Sequence, residues 1–197
     1  MVPRTLLSSL LAALAVVALV AGPASAHGKH GWHHGKHHSG KYGATALKLD
    51  PAAGEALTGL GVTPAPLSPA KALAADELAF PITNRFKSAL RTGVIRHSGG
   101  ISLTAGSTTI ELRDFYIDVA GRVLTAQVGD ARVPILDLDF SEARITFRRG
   151  ALTVGPVGGS LTEVAAGALD GAFGLPAGTV PPGLRLGDAT VRYTRVW

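Results

Sequence analysis

Cysteine is absent from the 197-residue sequence, and methionine occurs once. The absence of cysteine excludes disulfide scaffolds, cysteine-ligated zinc, iron–sulfur clusters, thiol catalysis and an acylated lipoprotein anchor. Charged residues are also sparse, at 17% of the chain. Hydrophobic residues nevertheless make up 46%, with 25 glycines and 12 prolines, so a wholly disordered protein is excluded and a folded domain is expected.

Long apolar runs are equally scarce, and the sequence has one, from Leu6 to Ala21. It follows a single basic residue, Arg4, and precedes the small-residue triplet Ala24-Ser25-Ala26, which is the order of a secretory signal peptide. Its length is short of the roughly 20 apolar residues that span a bilayer. The sequence therefore predicts a signal peptide over residues 1–26 and a secreted or loosely cell-wall-associated product without a membrane span in its mature form.

Histidine is concentrated in one glycine-rich segment, residues 27–43, which reads HGKHGWHHGKHHSGKYG and is called the His-rich arm below. Its many glycines predict a flexible segment. Neutral imidazoles bind Zn, Cu or Ni, so six arm histidines are predicted metal ligands. They are His27, His30, His33, His34, His37 and His38. Three interpretations stay open: adventitious or buffering metal binding, physiological metal capture, and a solvated spacer.

The remaining residues, 44–197, show the period-two alternation of short strands, with turn signals every 8 to 12 residues. One strand places Ile95, His97 and Ile101 on a common apolar face. A change of parity near Arg113-Asp114 predicts a β-bulge, and Pro134 favours an edge or bulge position. These patterns predict an all-β fold, a single antiparallel β-sandwich-like domain.

Two short helices are predicted within this domain. The first begins at Asp50-Pro51, with Asp50 as N-cap, and ends before Gly61. The second begins with the capping-box pair Ser160 and Glu163 and ends at Gly174. Pro64, Pro66 and Pro69 predict an extended connection between the first helix and the strands.

Few residues in the folded part could carry catalysis. His97 is its only histidine, and Ser98, as its neighbour on a strand, points to the opposite face and cannot pair with it. Asp137 and Asp139 lie on one strand face about 7 Å apart, where they could bind Ca²⁺ or act as acid and base. A solvated outer face explains the same pair. A non-enzymatic protein is therefore expected, with a carboxylate-dependent hydrolase as a third-ranked hypothesis.

Charge also limits the partners of the protein. The formal net charge is +5, but the arginines are scattered and form no basic patch interleaved with aromatic residues. No nucleic acid partner is expected. An unknown cell-surface component is the expected partner.

Several segments together resemble the HtaA domain of actinobacterial secreted and cell-surface proteins: FPIT, GVIRHSGGISLTAGSTTIELRDFYID, VLTAQV, ILDLDF and LTEVAAGALDGAFG. The resemblance covers about Phe80 to Gly174 and implies an all-β fold and haem binding for iron uptake. It places His97 where such domains have the histidine that supports a haem-ligating tyrosine. The tyrosine belongs upstream, where this sequence has Leu47 to Gly61 with neither Trp nor Tyr.

The sequence thus leads to a ranked set of functions. The first is a secreted, non-enzymatic binding or cell-envelope interaction protein with a metal-binding arm. The alternative is an extracellular haem-binding or haem-transfer protein of the HtaA type, with His97 in the haem pocket. Taken alone, a histidine on an apolar strand face is predicted to be a hydrogen-bonded core residue.

Overall fold

The computed structural model describes residues 42–194. The predicted signal peptide, the six arm histidines and the last three residues lie outside this range. The described part contains twelve strands and three helices. In chain order they are β1 (Gly43–Leu49), α1 (Pro51–Gly59), β2 (Thr63–Leu67), β3 (Lys71–Ala74), β4 (Glu77–Pro81), α2 (Phe86–Thr92), β5 (Val94–Arg96), β6 (Gly100–Ala105), β7 (Thr108–Asp118), β8 (Val123–Val128), β9 (Ala131–Asp139), β10 (Arg144–Arg148), β11 (Ala151–Leu161), α3 (Glu163–Phe173) and β12 (Arg185–Tyr193).

All strands join one antiparallel sheet in the order β2-β6-β7-β8-β9-β11-β12-β1-β4-β3, with β10 beside β11 and β5 beside β7. The sheet returns on itself where β4 meets β5. Ile82 and His97 form an isolated antiparallel bridge there. Two hydrogen bonds flank the bridge, from Thr83 N–H to the Arg96 carbonyl at 2.8 Å and from Ser98 N–H to the Pro81 carbonyl at 3.1 Å. We call this junction the seam. It turns the predicted sandwich-like sheet into a nearly closed barrel.

The predicted irregularities of the strands are confirmed. The pairing of β7 with β8 shifts register between Arg113 and Tyr116, and Asp114 adopts a positive φ of 48°. The pairing of β8 with β9 shifts where Pro134 lies opposite Thr125. Each shift reverses which residues face inward, because strand side chains alternate between the two faces.

Both predicted helices are present as α1 and α3, and α3 begins two residues later than predicted. Asp50 caps α1 by accepting a hydrogen bond from Ala52 N–H at 2.9 Å. The N-cap of α3 is Thr162, whose hydroxyl accepts from Ala165 N–H at 3.1 Å. Ser160, the predicted cap, is still in β11 opposite Asp137. The capping-box assignment was therefore wrong, because the strand ladder extends over the predicted cap.

Three elements were not predicted, namely α2, β2 and β3. Helix α2 has only seven residues and ends at Gly93, which adopts the left-handed conformation. The proline-rich segment predicted as a connection contains β2, which pairs with β6 and has no strand on its other side. An edge position suits Pro64 and Pro66, because proline has no N–H to donate to a second neighbour.

The three helices lie at two ends of the barrel. Strands β1 and β11 end at the same edge of the barrel. Leu49 of β1 pairs with Gly187 of β12, and Gly187 also pairs with Gly159 of β11. Helices α1 and α3 follow these strand ends and therefore share one end of the barrel. Helix α2 follows β4, whose last residue pairs with Ala44 near the start of β1. It lies at the opposite end, which we call the α2 end.

Candidate functional site

The interior of the barrel is not filled. It contains a cavity of about 790 Å³, lined by inward side chains of the strands and by residues of all three helices. Most protein interiors have few voids larger than a water molecule, whereas ligand pockets measure about 300–1,000 Å³. The cavity is therefore the candidate functional site of the described residues.

Incomplete burial of the inner face agrees with an unfilled interior. Several aliphatic side chains that line the cavity are only half-buried, although they belong to central strands. They include Leu47, Leu112, Leu124, Leu152 and Val154. Side chains that faced a packed core from the same positions would be buried.

Six lining residues are exposed, and three of them carry large apolar side chains at the surface. Leu90 is 68% exposed, Val119 45% and Ile145 73%. The first two belong to one part of the rim, because Val119 N–H donates to the Gly93 carbonyl directly after α2, at 3.0 Å. We call these three residues the mouth.

The chemistry of the lining is almost uniform. Thr45, His97 and Tyr193 are the polar side chains in it, and every other lining residue is Ala, Val, Leu, Ile, Phe, Pro or Gly. Strand alternation places all three inside. Thr45 lies opposite Val191 of β12, and Tyr193, two residues further along β12, shares the inner face. Such diagonal neighbours lie about 7 Å apart.

His97 lies at the seam and is 3% exposed. Its backbone bridges Ile82, and Gly99 two residues later has a φ of +81°, where a Cβ would come within 2.6 Å of backbone atoms of Leu67 and Ala70. The strand formed by β5 and β6 therefore breaks at this point. The predicted inward orientation of His97 is observed, and the imidazole lines the cavity.

Both ring nitrogens of His97 are hydrogen-bonded. Nδ1 is 3.0 Å from the Phe115 carbonyl, which only accepts, so Nδ1 carries the proton. Nε2 is then the acceptor, and the Thr45 hydroxyl donates to it at 2.7 Å. Burial lowers the pKa of His97 to about 4, because the charged imidazolium is poorly solvated. The imidazole is therefore neutral at physiological pH.

The hydrogen-bonded side chains of Thr45 and His97 resemble a catalytic nucleophile and its general base. A useful general base has a pKa near the working pH, and the lowered pKa of His97 makes it a weak one. The remaining lining side chains are apolar apart from Tyr193, so the cavity supplies few side-chain donors for a developing oxyanion. The pair is better explained as a structural hydrogen bond.

Tyr193 differs from His97 in that its polar group lacks a hydrogen bond. The side chain is 2% exposed, and its hydroxyl has no hydrogen-bond partner among the described residues. Its ring packs edge-on against Phe86 of α2, with centroids 5.3 Å apart. Burial raises the pKa of the Tyr193 phenol, so the group is a neutral O–H. Buried tyrosine hydroxyls usually have a partner, and Tyr193 is one of the residues that line the cavity.

The predicted carboxylate pair lies outside the cavity. Asp137 and Asp139 lie on the exposed outer face of β9, as expected for the solvated alternative. Asp139 accepts from the backbone N–H and the hydroxyl of Ser141, at 2.9 and 3.0 Å, and these bonds lower its pKa. Within residues 42–194 no cluster of three or more possible metal ligands occurs.

Sequence reasoning assigned no site role to Thr45 or Tyr193. Both lie in predicted strands, but a strand pattern does not show which polar side chain remains unpaired. The available signal was that Tyr193 lies on the same strand face as Ala189 and Val191, at every second position, and is the polar residue of that face.

Comparison with known proteins supports the fold. No family model matches the chain, and no curated protein matches it. The crystal structure of the C-terminal domain of HtaA from Corynebacterium glutamicum is similar, with a TM-score of 0.53 and 15% sequence identity. The match covers 77% of this chain and 96% of that one. The chain therefore has the all-β fold of that domain, as the sequence resemblance implied. Separately, no helix within the described range is long and apolar enough to cross a membrane.

Proposed function

We propose that this protein is a secreted, non-enzymatic binding protein of the cell envelope that holds a small molecule inside its barrel. The cavity of about 790 Å³ carries the proposal, because a folded domain has no structural use for so large an apolar void. The order of residues 1–26 supports secretion. The partner that delivers or receives the ligand is proposed to be a cell-surface component.

Fluorescence of the dye N-phenyl-1-naphthylamine, which brightens in apolar surroundings, tests the cavity. We expect saturable binding of about one dye per chain. Leu47→Trp adds bulk inside the barrel and should weaken dye binding at least fivefold. Lys48→Trp, on the neighbouring exposed position of β1, is the matched control and should not. Equal effects of the two substitutions would contradict binding in the interior.

Haem is the second candidate ligand, and the likeness to an HtaA domain favours it. The described residues do not fit haem in the manner that the resemblance implies. The imidazole of His97 supports the hydroxyl of Thr45 instead of a tyrosine, and threonine is not a usual haem ligand. The lining also contains no lysine or arginine for the haem propionates.

Haemin titration separates the two candidates. The arm histidines could bind haem iron themselves, so the test uses a full-length variant with all six replaced by glutamine. We expect no stoichiometric Soret band in this variant. A saturable band that His97→Ala abolishes would establish the haem function instead.

We also propose that the His-rich arm binds Zn²⁺, Cu²⁺ or Ni²⁺ through neutral imidazoles. Calorimetric titration should show binding at pH 7.5 that is lost as the pH falls through about 6.5, because protonated imidazoles do not bind metal. The six-glutamine variant should lose this binding. Retained tight binding would assign the metal to other residues.

Secretion has its own test. Protein recovered from the culture medium should have the intact mass of a chain that begins at His27. A species that retains Met1, or one found only in the membrane fraction, would contradict the proposal.

A further inference from the structure

The polar groups of the cavity define what kind of ligand it accepts. His97 and Thr45 satisfy each other, and the second nitrogen of His97 bonds to the Phe115 carbonyl. The Tyr193 hydroxyl is left as the one buried side-chain oxygen or nitrogen of the described residues without a hydrogen-bond partner. A buried hydroxyl without a partner destabilises a protein. A ligand atom that pairs with it would remove that cost.

The chemistry of this hydroxyl selects the ligand atom. Because burial keeps the phenol protonated, it is a hydrogen-bond donor toward an incoming group, and the matching ligand atom is an acceptor. The rest of the lining is apolar apart from the Thr45–His97 pair, and no charged side chain belongs to it. A charged ligand would lose its hydration without gaining a counter-ion, so the lining disfavours anions and cations alike.

On these grounds we propose that the ligand is a neutral, lipid-like molecule whose carbonyl or ether oxygen accepts a hydrogen bond from Tyr193. This inference rests on the proposed function of the cavity as a binding site and names the ligand class. Tyr193 pairs with Gly43 at the start of β1 and packs against Phe86 of α2. The polar oxygen of the ligand therefore lies at the α2 end, and its apolar chain extends toward α1 and α3.

Displacement of N-phenyl-1-naphthylamine by nine-carbon compounds tests the inference with the full chain. The compounds are nonan-2-one, which carries an acceptor, 1-nonene, which has none, nonanoate and nonylammonium. We expect nonan-2-one to bind more tightly than either charged compound. In Tyr193→Phe its affinity should fall about 2- to 10-fold, the range for one hydrogen bond, whereas the affinity of 1-nonene should not change.

Tyr116→Phe is the matched control, because Tyr116 also carries a phenol but does not line the cavity. It should bind both compounds like the unaltered protein. An infrared measurement with carbonyl-labelled nonan-2-one gives a second readout. The carbonyl band should shift to lower frequency on binding, and Tyr193→Phe should abolish the shift.

The outcomes separate this inference from the proposed function. If neither the dye nor any nine-carbon compound binds, the cavity is not a binding site and both proposals fail. If the dye and 1-nonene bind but Tyr193→Phe weakens nonan-2-one and 1-nonene equally, the cavity binds ligands and the role of Tyr193 is wrong. Tighter binding of nonanoate than of nonan-2-one would also overturn the inference.

Discussion

The cavity has two polar corners that differ in how their hydrogen bonds are satisfied. At the seam, His97 uses both ring nitrogens, toward Thr45 and the Phe115 carbonyl. At the α2 end, the Tyr193 hydroxyl is buried to a similar extent and has no partner among the described residues. A satisfied buried group stabilises the fold, whereas an unsatisfied one destabilises it until a ligand binds. The first corner is therefore structural, and the second is the recognition site proposed above.

Removal of the imidazole should have the largest effect on stability. His97→Ala leaves a cavity at the seam and removes the partner of the Thr45 hydroxyl, while the Phe115 carbonyl keeps the 2.9 Å bond from the backbone N–H of residue 97. We expect the free energy of unfolding to fall by about 3 to 5 kcal/mol in urea titrations. Ser98→Ala, at the next residue, should change it by less than about 0.5 kcal/mol. Similar small losses in both variants would show that the seam is not structural.

Acidification should lower the stability of the folded protein through protonation of His97. The pKa of His97 is lowered to about 4 in the folded protein, whereas an exposed histidine has a pKa of 6.5. Between these values the unfolded chain binds more protons at His97 than the folded protein, so stability is lost as pH falls through this interval. The loss attributable to His97 should be about 3 kcal/mol. It is measured as the difference in pH dependence between the unaltered protein and His97→Phe, and parallel curves would contradict it.

Loss of the single hydroxyl at the seam should cost less. Thr45→Val keeps the shape of the side chain but leaves Nε2 of His97 as a buried acceptor without its donor. We expect a decrease of about 1 to 2 kcal/mol in the free energy of unfolding. Thr146→Val, on the exposed strand β10, is the control and should be close to neutral. An unchanged stability in Thr45→Val would mean that another group replaces the hydroxyl.

Removal of the Tyr193 hydroxyl should raise the stability of the protein instead of lowering it. This change in stability should be the smallest of the four. Tyr193→Phe removes a buried hydroxyl that has no partner and keeps the ring against Phe86. The ligand-free protein should therefore become more stable by about 0.5 to 1 kcal/mol. Thermal unfolding of ligand-free protein measures the change. A destabilised variant would show that the hydroxyl already has a partner, and the contrast between the two corners would disappear.

Local patterns accounted for much of the fold. Alternation of apolar residues predicted the strands and the inward side of His97, because a half-buried strand has a period of two. Asp50 followed by Pro51 predicted the start of α1, since an N-cap and a first-turn proline act within a few residues. The parity change at Arg113-Asp114 predicted a bulge for the same reason.

Features that depend on distant pairing required the tertiary structure. Closure of the sheet rests on a bridge between Ile82 and His97, and neither strand carries a local signal of it. The cavity arises because the barrel is wider than its inward side chains can fill, which no single strand reveals. Thr45 and His97 are 52 residues apart in sequence yet share a hydrogen bond, and Tyr193 stays unpaired because no side chain or backbone group of residues 42–194 reaches its hydroxyl. Sequence determines which side of a strand a residue faces, whereas the packing of all strands together decides whether a polar group there finds a partner.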